Sequence, residues 1–257
     1  NLPKLAFAIT NADDKNGSVM LQNCKATLRS YSTRTAADFK GRILEESIEG
    51  MLLDINGQEV SVRFVGRFNV SNLLAVYGAA VMLGNEPQEV LRVMSELASV
   101  NGRFETIRSP RGVNAIIDYA HTPDGLDNVL RSVRDFCKGR LIAVFGCGGD
   151  RDPIKRPIMG RIGTDIADIA IITSDNPRTE DPNAIISDIL AGIAQEDGEY
   201  IVIENRRKAI QYAMDKAEKD DIIILAGKGH ETYQEIGGIK HHLDEREEVA
   251  AYLSETR

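Results

Sequence analysis

Apolar residues in the second half of the chain come in short unbroken runs, and each run empties into a polar loop. Val113-Asn114-Ala115-Ile116-Ile117 leads into Asp118-Tyr119-Ala120-His121-Thr122-Pro123, and residues 141–145 lead into Gly146-Cys147-Gly148-Gly149-Asp150-Arg151-Asp152. Residues 168–173 lead into Asp175-Asn176-Pro177-Arg178, and residues 222–226 into Gly227-Lys228-Gly229-His230-Glu231. Runs of this length, apolar without alternation, mark strands covered on both faces. Between them apolar residues recur at helical spacing: Leu126, Val129, Leu130 and Val133; Ile185, Ile186, Ile189, Leu190 and Ile193; Ala209, Ile210, Ala213, Met214 and Ala217. Strand and helix in alternation predict a parallel sheet with crossover helices. The polar loops then gather at the strands' carboxyl ends, where open α/β sheets bind ligands.

The first hundred residues read differently. Residues 50–56 and 58–65 are β-rich runs on either side of Asn56-Gly57, the pattern of an antiparallel hairpin. A helix is expected over residues 70–83, closed by Gly84, and a second from Pro87 to near Asn101-Gly102. A change of texture there sets the expected domains at 1–101 and 102–257.

Composition narrows the class. With 257 residues and 42% hydrophobic content the chain can bury an ordinary core. Its net charge of −8 argues against a nucleic-acid partner. Cys24, Cys137 and Cys147 are far apart and form no C-x-x-C, so neither a disulfide framework nor a zinc site is expected and a reducing cytoplasm fits best. No apolar run is long enough for membrane insertion. His241-His242 with Asp244 resembles a metal clip, but the surrounding Asp-Glu-Arg-Glu-Glu run is read as the start of a charged helix, and no metal site is expected. Gly146-x-Gly148-Gly149 fails the dinucleotide fingerprint because Arg151 takes its last glycine position. The start Asn1-Leu2-Pro3-Lys4-Leu5-Ala6-Phe7 lacks Met and suggests a piece of something longer.

Taken together, Phe68-Asn69-Val70-Ser71-Asn72, Gly102-Arg103-Phe104-Glu105 and the four polar loops, in this order, resemble the Mur ligases of peptidoglycan synthesis. Within that family D-N-P-R resembles the signature of the members that add meso-diaminopimelate. No G-x-x-x-x-G-K-[ST] occurs, and His230 stands where a P-loop would have Ser or Thr. The resemblance therefore implies an α/β chain made of the C-terminal half of a central ATPase domain followed by a Rossmann-like, parallel-sheet C-terminal domain. It implies ATP and Mg²⁺, with the main metal ligands upstream, a UDP-N-acetylmuramoyl dipeptide as second substrate, and a monomer. Without the P-loop the chain alone is expected to be inactive.

By the same resemblance Asn72 meets the adenine edge, Arg103 the γ-phosphate, and Asp118 the ribose hydroxyls. Asp118 has a plainer alternative, capping the helix that opens near Thr122-Pro123, and Asn69 and Asn72 are alternatively helix caps. The amine substrate carries two ammonium and two carboxylate groups, so its pocket needs cationic forks and an acidic partner. In the Asp175-Asn176-Pro177-Arg178 loop, Pro177 restrains Asn176 and Arg178 offers a planar fork. Arg151 supplies a second fork unless, sharing its loop with Arg156, it is a structural ion-pair member. Asn176 adds a neutral amide, Glu231 an acceptor for ammonium, and Gly227 room for backbone contact. A standalone amino-acid-binding module is the rival from another class, and a sister or folate-directed ligase the rival within it.

Overall fold

The computed structural model describes residues 6–110, 112–194 and 198–255. The opening Asn1-Leu2-Pro3-Lys4-Leu5 lies outside the described residues. Contacts divide the chain into two compact units, Asn1–Ala98 and Ser99–Arg257.

The first unit runs β1 (Phe7–Asn11), α1 (Gly17–Met20), β2 (Thr27–Ser32), β3 (Phe39–Ser47), β4 (Gly50–Ile55), β5 (Gln58–Val62), α2 (Arg67–Met82) and α3 (Pro87–Glu96). Its strands form one sheet in sequence order. β1–β2 and β2–β3 are parallel, β3–β4 and β4–β5 antiparallel. The β4–β5 hairpin turns at Asn56 and Gly57, both at positive φ (51° and 84°), as a tight hairpin turn requires. Met51, Leu53 and Ile55 alternate inward on β4 and meet Val70, Leu73, Leu74 and Tyr77 of α2 and Val90, Leu91 and Met94 of α3.

Three expected boundaries move. α2 begins at Arg67, because Gly66 at φ 93° turns the chain straight into it. Asn69 and Asn72 are therefore helical residues and not caps: Asn69 Nδ2 donates to the Val65 carbonyl (2.7 Å), and Asn72 Nδ2 to Asn69 Oδ1 (3.3 Å). α3 stops at Glu96, with Leu97 extended and 39% exposed, since the buried stripe has nothing to cover beyond Met94. β5 ends at Val62 rather than 65.

The second unit runs β6 (Glu105–Arg108), β7 (Asn114–Asp118), α4 (Pro123–Arg134), β8 (Leu141–Phe145), α5 (Lys155–Ile166), β9 (Ile169–Ile172), α6 (Pro182–Leu190), β10 (Glu199–Val202), α7 (Arg206–Lys216), β11 (Ile222–Ala226), β12 (Tyr233–Ile236), β13 (Ile239–His242) and α8 (Glu245–Glu255). Six strands form a sheet in the order β10-β9-β8-β11-β7-β6, parallel throughout except for β6 on β7. One face carries Ile142, Val144, Ile171, Ile223 and Leu225 against Ala209, Ile210, Ala213 and Met214 of α7 and Val249 of α8. On the other face Phe145 lies where a side chain at Gly163 of α5 would be.

The apolar runs of this unit become the central strands, as the sequence predicts. The short β6, β10 and the β12–β13 hairpin are not foreseen, and α6 ends before Ile193. α4 is capped by Thr122, whose Oγ1 accepts the Gly125 N–H (3.2 Å), with Pro123 in its first turn.

Candidate ligand site at the carboxyl edge

β9, β8, β11 and β7 are sheet neighbours, so their carboxyl ends bring four polar loops onto one edge. Asp175, Asn176 and Pro177 are buried there and Arg178 is half-buried. Asn176 is engaged on both sides of its amide. Its Nδ2 donates to Glu231 Oε2 (2.8 Å), while its Oδ1 accepts from Lys228 Nζ (3.0 Å) and the Glu235 N–H (2.9 Å). Lys228, fully buried, also reaches Glu231 Oε2 (3.2 Å) and lies 3.9 Å from Asp175 Oδ1. Glu231, expected as an open acceptor, thus already shares one oxygen with a resident ammonium. Among the described residues its Oε1 has no such partner. Gly227 sits at φ 118°, and a Cβ there would meet Asp175 Oδ2, so the β11 turn needs glycine on both counts.

Arg178 is held by its backbone as much as by its side chain. Its φ is 53°, a left-handed conformation that costs a non-glycine residue energy. Pairing with β12 imposes it: the Arg178 N–H donates to the Glu235 carbonyl (3.0 Å) and its carbonyl accepts from Gly237 N–H (2.6 Å). The guanidinium donates to the Gly149 carbonyl (2.7 Å) and lies 3.7 Å from Glu235 Oε2. A Cβ at Gly148 would touch that guanidinium, and one at Gly149 would run into the Pro177 carbonyl. The glycines of the β8 loop are therefore clearance for the neighbouring loop. Arg151 is exposed, its Nη1 donating to the Asp150 carbonyl (2.9 Å). The ion-pair member of that loop is Arg156, buried between Glu180 and Asp188 at 2.9 Å each.

Farther along the edge, Asp118 does not cap α4. It is buried, and its Oδ2 accepts the Phe104 N–H (2.8 Å). Burial pushes its carboxyl above the ordinary range, against the Phe104 and Ala120 amides and the Arg103 charge. Gly102 packs against the backbone of Gly229 and His230, which brings exposed Arg103 over the Tyr119 ring, 4.8 Å from its centroid. That ring lies 4.6 Å from His121 and 5.1 Å from His230. Asn72 belongs to the other unit.

Sequence reasoning passed over two cations here. For Lys228 the one clue in the sequence is a lysine one glycine beyond five consecutive apolar residues. Arg206, at the start of α7, is fully buried; its Nε and Nη2 both lie 2.8 Å from Glu245 Oε1, and Nη2 also donates to the Ala226 carbonyl (2.8 Å). It ties the end of β11 to the start of α8. Among the described residues no three His, Cys, Asp or Glu side chains converge to hold a metal ion. No described helix is long and apolar enough to cross a membrane.

Comparison with known proteins gives the same two-part division. Residues 1–80 match the Mur ligase middle domain and residues 102–229 the Mur ligase glutamate ligase domain. Among curated relatives, the UDP-N-acetylmuramoyl-L-alanyl-D-glutamate--2,6-diaminopimelate ligase of Phocaeicola vulgatus is 56% identical over 249 residues, covering 96% of this chain and 51% of the relative. The protein of that name from Parabacteroides distasonis is 56% identical over 257 residues, covering 99% and 53%. A solved structure of such a ligase is 37% identical with a TM-score of 0.68, covering 98% of this chain and 54% of the other. The chain spans about half the length of the curated relatives it matches.

Proposed function

This chain belongs to the Mur ligase family, and we propose that the whole protein joins meso-diaminopimelate to UDP-N-acetylmuramoyl-L-alanyl-D-glutamate in the cytoplasm at the expense of ATP. The observation that carries the choice of amino acid is the D-N-P-R loop at the strand ends, where the Arg178 guanidinium stands beside a donor and an acceptor already oriented by Lys228. A molecule with two ammonium and two carboxylate groups matches that mixture of charges. Lysine, one carboxylate short, would leave a cationic fork unmatched.

Amide formation needs a leaving group that a carboxylate lacks. ATP, as co-substrate, supplies it by phosphorylating the acceptor carboxylate; attack by the amine then gives a tetrahedral intermediate, and phosphate departs. In such a reaction the protein mainly positions reactants and neutralises charge. Arg103, exposed and steadied on Tyr119, is the cation this chain offers to the transferring phosphoryl group. Asp118 is its acceptor for ribose hydroxyls, and Asn72 its adenine contact. Arg178, Arg151, Asn176, Glu231 and the Gly227 backbone hold the incoming amino acid, with Asp175 and Pro177 shaping the loop.

The test is calorimetric titration of the chain with meso-diaminopimelate and L-lysine, paired with a substrate-dependence assay of the whole protein. Tight binding of the first, weak binding of the second, and ADP release that needs both acceptor and diaminopimelate are the expected results. Binding without turnover by the whole protein would favour a binding module instead, and equal binding of the two amino acids would remove the specificity argument.

A further inference from the structure

We propose that Lys228 is a positioning residue, a resident ammonium that fixes the polarity of the Asn176–Glu231 pair. The inference rests on the amino-acid-binding reading above. An amide side chain has two donor protons and two acceptor lone pairs. Both lone pairs of Asn176 Oδ1 are taken, by Lys228 Nζ at 3.0 Å and the Glu235 N–H at 2.9 Å. One Nδ2 proton goes to Glu231 Oε2 at 2.8 Å. One N–H therefore remains for a ligand. On Glu231, Oε2 holds both Lys228 and Asn176, which leaves Oε1.

The arrangement admits a single orientation of the amide. Turned over, Asn176 would set its NH₂ against the Lys228 ammonium and the Glu235 N–H, and its oxygen against the Glu231 carboxylate. Donor would face donor and acceptor would face acceptor. Lys228 is suited to holding this choice because it is itself immobile: wholly buried, 3.9 Å from Asp175 and 5.7 Å from the centre of the Tyr233 ring. Its ammonium lies 3.2 Å from Glu231 Oε2 and 3.9 Å from Asp175 Oδ1, so removing it would take from both carboxylates the counter-charge they share at the end of β11. Lys228 thus sorts the two side chains into a donor, Asn176 N–H, for a ligand carboxylate and an acceptor, Glu231 Oε1, for a ligand ammonium, while touching neither ligand group.

The experiment compares the 257-residue chain with Lys228→Met, Asn176→Ala and the double variant. Without ligand, the Asn176 side-chain amide protons are followed by nuclear magnetic resonance. Their exchange with solvent should quicken about tenfold or more in Lys228→Met, as expected for loss of a charge-assisted bond, while backbone amides of β11 keep their rates. Unchanged side-chain exchange overturns the proposal. With meso-diaminopimelate, Lys228→Met should weaken binding by about tenfold or more in the native background and far less on Asn176→Ala, because the two act as one. Additive losses would mean that Lys228 meets the ligand directly or supports only the fold, and would also overturn it. Should Lys228→Met fail to fold, titration of the unaltered chain decides: one Asn176 Nδ2 proton should shift with ligand and the other, bonded to Glu231, should stay, whereas movement of both refutes the fixed polarity. If neither the unaltered chain nor the whole protein binds diaminopimelate, the proposed function falls and the ligand-free exchange still decides the role of Lys228.

Discussion

Replacing Arg178 separates the substrate reading from simple loop stability, because its guanidinium and its backbone carry different burdens. The side chain donates to the Gly149 carbonyl at 2.7 Å and keeps a cationic face beside the pocket; the backbone sits at φ 53°. Arg178→Ala removes the fork and keeps the conformational cost. Arg178→Gly removes the fork and also relieves roughly 1 kcal/mol or more of left-handed strain. The alanine variant should therefore melt below the glycine variant. Both should lose meso-diaminopimelate by about 2–4 kcal/mol, or about 30- to 700-fold in Kd, the cost of taking one partner from a desolvated charge pair. Lysine binding should change little or improve, since it has no second carboxylate for the fork to meet. Calorimetric titration with both amino acids and a thermal melt of each variant are the assays. Equal losses for the two amino acids, or losses that follow melting temperature between the variants, would show that Arg178 serves the loop and not the ligand.

Other outcomes follow from buried charges and absent parts. Glu245→Gln should cost about 3–5 kcal/mol in urea unfolding because it strands the Arg206 guanidinium, whereas Arg206→Met with Glu245→Leu should be near neutral or stabilising; equal costs would refute this. Burial raises the Asp221 carboxyl, but bonds from the Arg140 side chain and from the Glu218 and Arg140 amides outweigh it and hold it below the ordinary carboxylate value. Its stabilisation is then complete above the unfolded value of about 3.9 and is lost as pH falls through the lower folded value. Asp221→Asn should accordingly cost about 1.5–3 kcal/mol at neutral pH and progressively less as pH falls below about 4, a difference that urea midpoints at both pH values would measure. The chain alone, whose sequence has no P-loop, should release no phosphate from ATP above a blank, with or without Mg²⁺ and both substrates.

The legible part of this molecule was the part governed by local pattern. Short apolar runs such as Ile222–Ala226, each followed by turn residues, read as strands buried on both faces, and once four of them alternate with helical spacing the edge on which their loops meet follows. Thr122-Pro123 likewise announced the start of α4. What stayed hidden depends on partners distant in sequence. β12 is a strand because it pairs with β13 and clips Arg178, not because Tyr233–Ile236 reads as one. Lys228 and Arg206 violate the rule that charges stay outside, and their tolerance depends on Asn176, 52 residues away from one, and Glu245, 39 residues away from the other. No window of sequence contains those pairs.

The fit between the Gly148-Gly149 turn and the Pro177-Arg178 turn bears on how such a pocket changes over evolutionary time. A methyl at Gly149 would strike the Pro177 backbone carbonyl and one at Gly148 would push the Arg178 guanidinium aside, so the two loops are complementary castings, and a bulkier or differently bent D-N-P-R segment would collide with its neighbour before it met a new ligand. Specificity should then be inherited and exchanged as a pair of loops, and grafting the second alone from a relative with another amino-acid preference should give misfolded edges more often than altered enzymes.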